Sequence, residues 1–148
     1  MLTNANSQIF VGRDEILETL HKRVESLKSG YRQNVALTGQ KLCGKTSILQ
    51  AFMGSLDSGT IIPVYIEVLA EPFENFSKKF IGTMLLNYLK ASNNELGEDL
   101  DFLISKAQET VPKTVSAIKE ILRLLGQGEH QEAYSGIFNL TCLLKEET

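Results

Sequence analysis

The chain is short of cysteine, of net charge and of long apolar runs, and each shortage narrows what it can be. Its 148 residues hold two cysteines, Cys43 and Cys142. Their separation fits neither a disulfide framework nor a metal-ligand spacing, so a reducing compartment is the simple expectation. A formal charge of -3 and a pI near 5.4 leave no overall basic footprint. Nonspecific nucleic-acid binding is therefore disfavoured, and only a local basic patch would serve a nucleic acid. No run approaches the ~18 apolar residues of a membrane span, and residues 1–10 lack the basic and apolar regions of a secretory leader. Together these absences predict a cytoplasmic protein with no membrane partner. Internal repeats and low-complexity segments are missing too, and the length suits one domain with a buried core.

What is present is concentrated in eight residues. Gly39, Gln40, Lys41, Leu42, Cys43, Gly44, Lys45 and Thr46 spell G-x-x-x-x-G-K-T, with Ser47 following, between an apolar-biased run at 34–38 and an amphipathic stretch. A chain of ordinary composition meets this pattern by chance in roughly one case in two hundred, so a phosphate-binding Walker A loop outweighs a glycine-rich turn with a solvated lysine. A triphosphate needs many donors and no side chains in the way, which glycine at both ends of the loop permits. The amides from about Lys41 to Thr46 would form an anion nest, reinforced by the positive end of the helix beginning near Lys45. Lys45 is placed to bridge the β and γ phosphates as the catalytic cation, and the Thr46 hydroxyl to ligate Mg²⁺. The side chains of Lys41 and Cys43 occupy tolerant positions. They are read as a solvated cation and a small filler.

Hydrophobic periodicity predicts a helix over 14–27 stopped by Gly30, a strand at 34–38, and a helix from Lys45 burying Ile48, Leu49, Phe52, Met53 and Leu56. A second strand is expected over 61–68, with Pro63 marking its start as an end or edge position. Only helices should follow. One carries Phe73, Phe76, Phe80, Met84, Leu85, Tyr88 and Leu89 and breaks at 92–94; another carries Leu100, Leu103, Ile104 and Ala107. A third follows Pro112 with Val115, Ile118, Ile121, Leu122 and Leu125. The last follows 126–128 with Ala133, Tyr134, Ile137, Phe138, Thr141 and Leu144. All these stripes are read as core. Glu98, Asp99 and Asp101 sit where a helix begins, and its dipole explains them better than a metal site does. The resulting fold class is α/β, with two recognisable strands and many helices; the Walker A loop resembles that of the P-loop NTPases, which implies a partial three-layer α/β/α arrangement.

The order of elements adds a resemblance. Phe10-Val11-Gly12-Arg13-Asp14-Glu15 opens a helix ahead of the loop-bearing strand, and this resembles the amino-terminal block of AAA+ and STAND-type P-loop ATPases, including origin-recognition-like and archaeal or bacterial ATPases. It covers residue 9 to about residue 68. The resemblance implies ATP or ADP with Mg²⁺ as cofactors, and it implies that Val11, Gly12 and Arg13 lie near the adenine. It leaves open a protein partner or a homo-oligomer.

Such ATPases also need an acidic residue ending an apolar strand, to hold Mg²⁺ through water, and commonly a glutamate as general base. After the loop no run of four apolar residues ends in Asp or Asp-Glu. Glu67 is the nearest match and is followed by Val68, still within the expected strand. In the families resembled, strands like these two are not neighbours. The expectation is therefore an amino-terminal part of a longer ATPase, spanning 1–148 and ending before the acidic strand, that binds nucleotide and hydrolyses little by itself. Two rivals are a small nucleotide or metabolite kinase, disfavoured because Arg123 is the one arginine where an arginine-rich lid would lie, and a noncatalytic nucleotide-dependent interaction module.

Overall fold

The computed structural model describes residues 13–57, 61–91 and 99–148. The chain divides into two compact units, Met1–Asp57 and Ser58–Thr148.

In the first unit α1 (Asp14–Lys28) packs on α2 (Lys45–Gly54). Asp14 and Glu15 in the first turn of α1 and Lys28 in its last match the helix dipole. Its end is closed by the paired bonds of a Schellman turn: Gly30, at φ +90°, donates to the Leu27 carbonyl at 3.0 Å, and Tyr31 to Ser26 at 2.8 Å. Among the described residues of this unit the buried side chains are Leu20 and Ile48. Beside them the His21 ring meets Phe52 edge-on, centroids 5.1 Å apart, and His21 Nε2 lies 3.0 Å from Ser55 Oγ.

The second unit is built from α3 (Phe73–Ala91), α4 (Leu100–Ala107), α5 (Pro112–Gly126) and α6 (His130–Glu147). The α3 helix packs chiefly on α4, and α5 on α6. One apolar cluster joins all four, with Ile81, Leu85, Leu103, Ile118, Ile137 and Leu140 among its most buried members. Close approach of α5 and α6 depends on Gly136, where a Cβ would come within 2.9 Å of Ile121 Cγ1. Asp99 caps α4 by accepting from the Phe102 amide at 3.3 Å, and Asp101 sits in its first turn. The acidic cluster thus serves a helix start, with Glu98 outside the described residues.

The helices follow the expected order, but the α/β assignment is wrong. All six elements are helices, and no strand forms among the described residues. Residues 34–38 and 61–68 lie outside any helix or ladder, and several of their apolar side chains are exposed, Val68 to 75%. A strand exists only through a partner that takes up its N–H and C=O groups. Among the described residues each unit holds one such run, and no second run lies opposite it to form a ladder.

The core stripe of α6 is also narrower than expected. Ala133, Ile137, Leu140 and Leu144 are buried, whereas Tyr134, Phe138 and Thr141 are exposed. The buried set repeats at i, i+4, i+7 and i+11, a single seam. The neighbouring positions lie about 100° around the helix. Tyr134 and Phe138 instead join the aromatic side chains of α3: Tyr134 lies 5.6 Å from Phe73, and Phe138 6.3 Å from Phe80. The break expected at 92–94 falls outside the described residues.

Candidate functional site

The glycine-rich loop lies entirely in the first unit and leads directly into α2. Residues 40–43 form a turn closed by the Cys43 amide donating to the Gln40 carbonyl at 3.4 Å. Leu42, its third residue, has φ +66°, the left-handed conformation that a type II turn requires there. Its side chain is 95% exposed and packs on almost nothing. Gly44 follows at φ +85° as the residue preceding α2, and its carbonyl accepts the first helical bond from Ile48 at 3.0 Å. No side chain caps α2 and no acidic residue lies in its first turn. Its leading amides are thus free of the usual side-chain acceptor and point from the positive end of the helix dipole.

Lys45 arches back over the loop. Its ammonium donates to the Gly39 carbonyl at 2.8 Å and the Gln40 carbonyl at 2.6 Å, and lies 3.5 Å from Cys43 Sγ. The lysine is thereby stationed across the loop by its own backbone. Thr46, expected to ligate a metal, is exposed at the start of α2, and Ser47 next to it is half-buried. Lys41 is exposed, consistent with a solvated side chain.

The two glycines serve different needs. Gly44 requires its backbone angle, whereas Gly39 has no positive φ and is required by space: a Cβ there would stand 2.8 Å from Cys43 Sγ. Cys43 therefore fills the loop's interior against Gly39 and Lys45. Sequence spacing gave no sign of that contact.

Arg13, the residue before α1, is half-buried and donates from Nη2 to the Cys43 carbonyl at 2.5 Å. This joins the residue before α1 to the glycine-rich loop across 30 positions of sequence. Val11 and Gly12 lie outside the described residues. Glu67 belongs to the second unit; its side chain is exposed and its carbonyl accepts from Lys79 Nζ at 3.4 Å. Among the described residues no three His, Cys, Asp or Glu side chains gather as a metal site, and no helix is long and apolar enough to cross a membrane.

An uncapped helix start with a basic side chain drawn across its entrance is chemically suited to an anion, and to a phosphate above all. Residues 9–134 match the family described as AAA ATPase domain, and the chain belongs to that family. Its class of function is thus ATPase-type nucleotide binding. The match runs through the loop and both units as far as the first turns of α6. No curated protein and no solved structure matches the chain.

Proposed function

We propose that residues 39–46 hold the phosphates of ATP or ADP together with Mg²⁺. The observation that carries this reading is the Lys45 ammonium, held 2.6 and 2.8 Å from two loop carbonyls beside the uncapped start of α2. An incoming phosphate offers that ammonium a charged acceptor in place of neutral carbonyls, roughly doubling the strength of each hydrogen bond. Backbone amides of the loop and of the first turn of α2 supply the remaining donors. These donors come from a turn and a helix start, so the binding chemistry needs no sheet. The Thr46 hydroxyl would be the protein's ligand to Mg²⁺, an ion that favours oxygen and keeps several waters. Val11 and Gly12 would lie beside the base, as in the AAA+ and STAND-type ATPases that this opening resembles.

Hydrolysis asks for more than binding. A carboxylate must hold the second shell of the metal or take the proton of the attacking water; after the loop no run of four apolar residues ends in Asp or Asp-Glu, and Glu67, the nearest match, is exposed in the second unit. The residues assigned here therefore account for nucleotide binding and should give little turnover by themselves.

Amide hydrogen exchange tests the site. Mg·ADP should protect the amides of residues 42–47, and adenosine should leave them unchanged. Protection confined to other segments, or equal protection by adenosine, would remove the phosphates from this loop.

A further inference from the structure

We infer that Arg13 is a positioning residue for the phosphate loop, acting through the Cys43–Gly44 peptide rather than by touching the base. This rests on the reading of the loop as a phosphate site. Arg13 is anchored where it stands: its carbonyl accepts from the Ile16 and Leu17 amides at 3.1 and 3.2 Å, fixing it to the first turn of α1. From there the guanidinium reaches the Cys43 carbonyl at 2.5 Å, with Nη2 4.0 Å from where a Cβ on Gly44 would stand.

The consequence follows from peptide geometry. The Cys43 carbonyl and the Gly44 N–H belong to one planar trans unit, so the two groups point in opposite directions. Holding the oxygen with a guanidinium holds the N–H facing away from Arg13. Gly44 most needs such a hold, because a glycine at φ +85° has the widest choice of other conformations. The donor at the threshold of α2 is therefore set before any ligand arrives. Truncating Arg13 removes this hold, whereas the conservative change Arg13→Lys retains part of it, since an ammonium can also donate to the carbonyl.

The test compares wild type, Arg13→Ala and Arg13→Lys by calorimetry with Mg·ADP and with Mg·pyrophosphate, alongside amide exchange of Gly44 in the ligand-free protein. For Arg13→Ala the expected result is an equal loss for both ligands, about tenfold, the scale of one hydrogen bond to a charged group, with faster exchange at Gly44. Arg13→Lys should recover part of both. A loss for ADP with none for pyrophosphate would assign Arg13 to the base and overturn the inference. So would unchanged affinities, or a loss that tracks a general fall in thermal stability without recovery in Arg13→Lys. Failure of the wild type to bind either ligand would instead defeat the phosphate reading itself. In that case the functional role of Arg13 falls with it, whatever the exchange at Gly44 shows.

Discussion

The Glu147 carboxylate at the end of α6 is the cap of α5: Oε2 accepts from the Thr114 amide at 2.7 Å and the Thr114 hydroxyl at 2.6 Å, while Oε1 accepts from the Lys113 amide at 2.8 Å. A carboxylate is poorly placed at the carboxyl end of its own helix, whose dipole is negative there, and well placed at the amino end of another. The residue preceding α5, Val111, offers no side-chain cap of its own. Partial burial pushes the Glu147 carboxyl up, but the bonds from the Thr114 hydroxyl and amide and the Lys113 amide outweigh it and hold the pKa below its ordinary 4.5.

That direction fixes a pH dependence. A lowered folded-state pKa contributes stability that is present above 4.5 and is lost as pH falls through the folded value. Thermal unfolding of wild type and Glu147→Gln should therefore differ at neutral pH and converge below that window. A difference that persists unchanged well below it would detach the effect from the carboxylate charge.

Thr114 is fully buried and its hydroxyl has Glu147 as acceptor. Thr114→Val should lower stability by removing the hydrogen bond to the Glu147 carboxylate. In a double-mutant cycle with Glu147→Gln the two losses should fall short of additivity. Strict additivity would mean that the two side chains act independently.

Gly39 and Cys43 should be coupled through the 2.8 Å approach at the loop. Gly39→Ala alone should destabilise the first unit by about 1–3 kcal/mol through overpacking, and Cys43→Ala in the same chain should restore most of it. Equal damage in the presence and absence of the sulfur would place the need for Gly39 elsewhere.

Leu42 holds a left-handed conformation with almost no packing to justify it. A side chain there costs about 1–2 kcal/mol, against about 0.5–1 for the extra chain freedom of glycine. Leu42→Gly should thus raise stability by roughly 0.5–1 kcal/mol, and Leu42→Val should lower it because branching at Cβ worsens the clash. The order Gly, Leu, Val in thermal unfolding checks the turn.

The helices were legible in the sequence because their signals are local. Asp14 and Glu15 open α1, Gly30 closes it, Pro112 starts α5, and apolar spacing predicts which side of α3, α4 and α5 is buried. The loop was legible for the same reason, as eight consecutive residues. Strand formation was not, since the residues at 34–38 and 61–68 have β character but a ladder depends on what lies opposite. The α6 seam was misread because Tyr134 and Phe138 are apolar yet pack sideways on α3 aromatics, leaving them 56% and 48% exposed. Contacts across long sequence separations, Arg13 with Cys43 and Glu147 with Thr114, left no trace in spacing at all.

Calorimetric titration of Mg·ADP into wild type and Lys45→Ala, with both verified as folded by thermal unfolding, tests the binding assignment most directly. Removing the ammonium deletes a charge-assisted contact worth roughly 1.5–3 kcal/mol, so the variant should bind about ten- to a hundredfold more weakly. Equal affinity in the two folded proteins would contradict the account and remove Lys45, and with it the loop, from the nucleotide site.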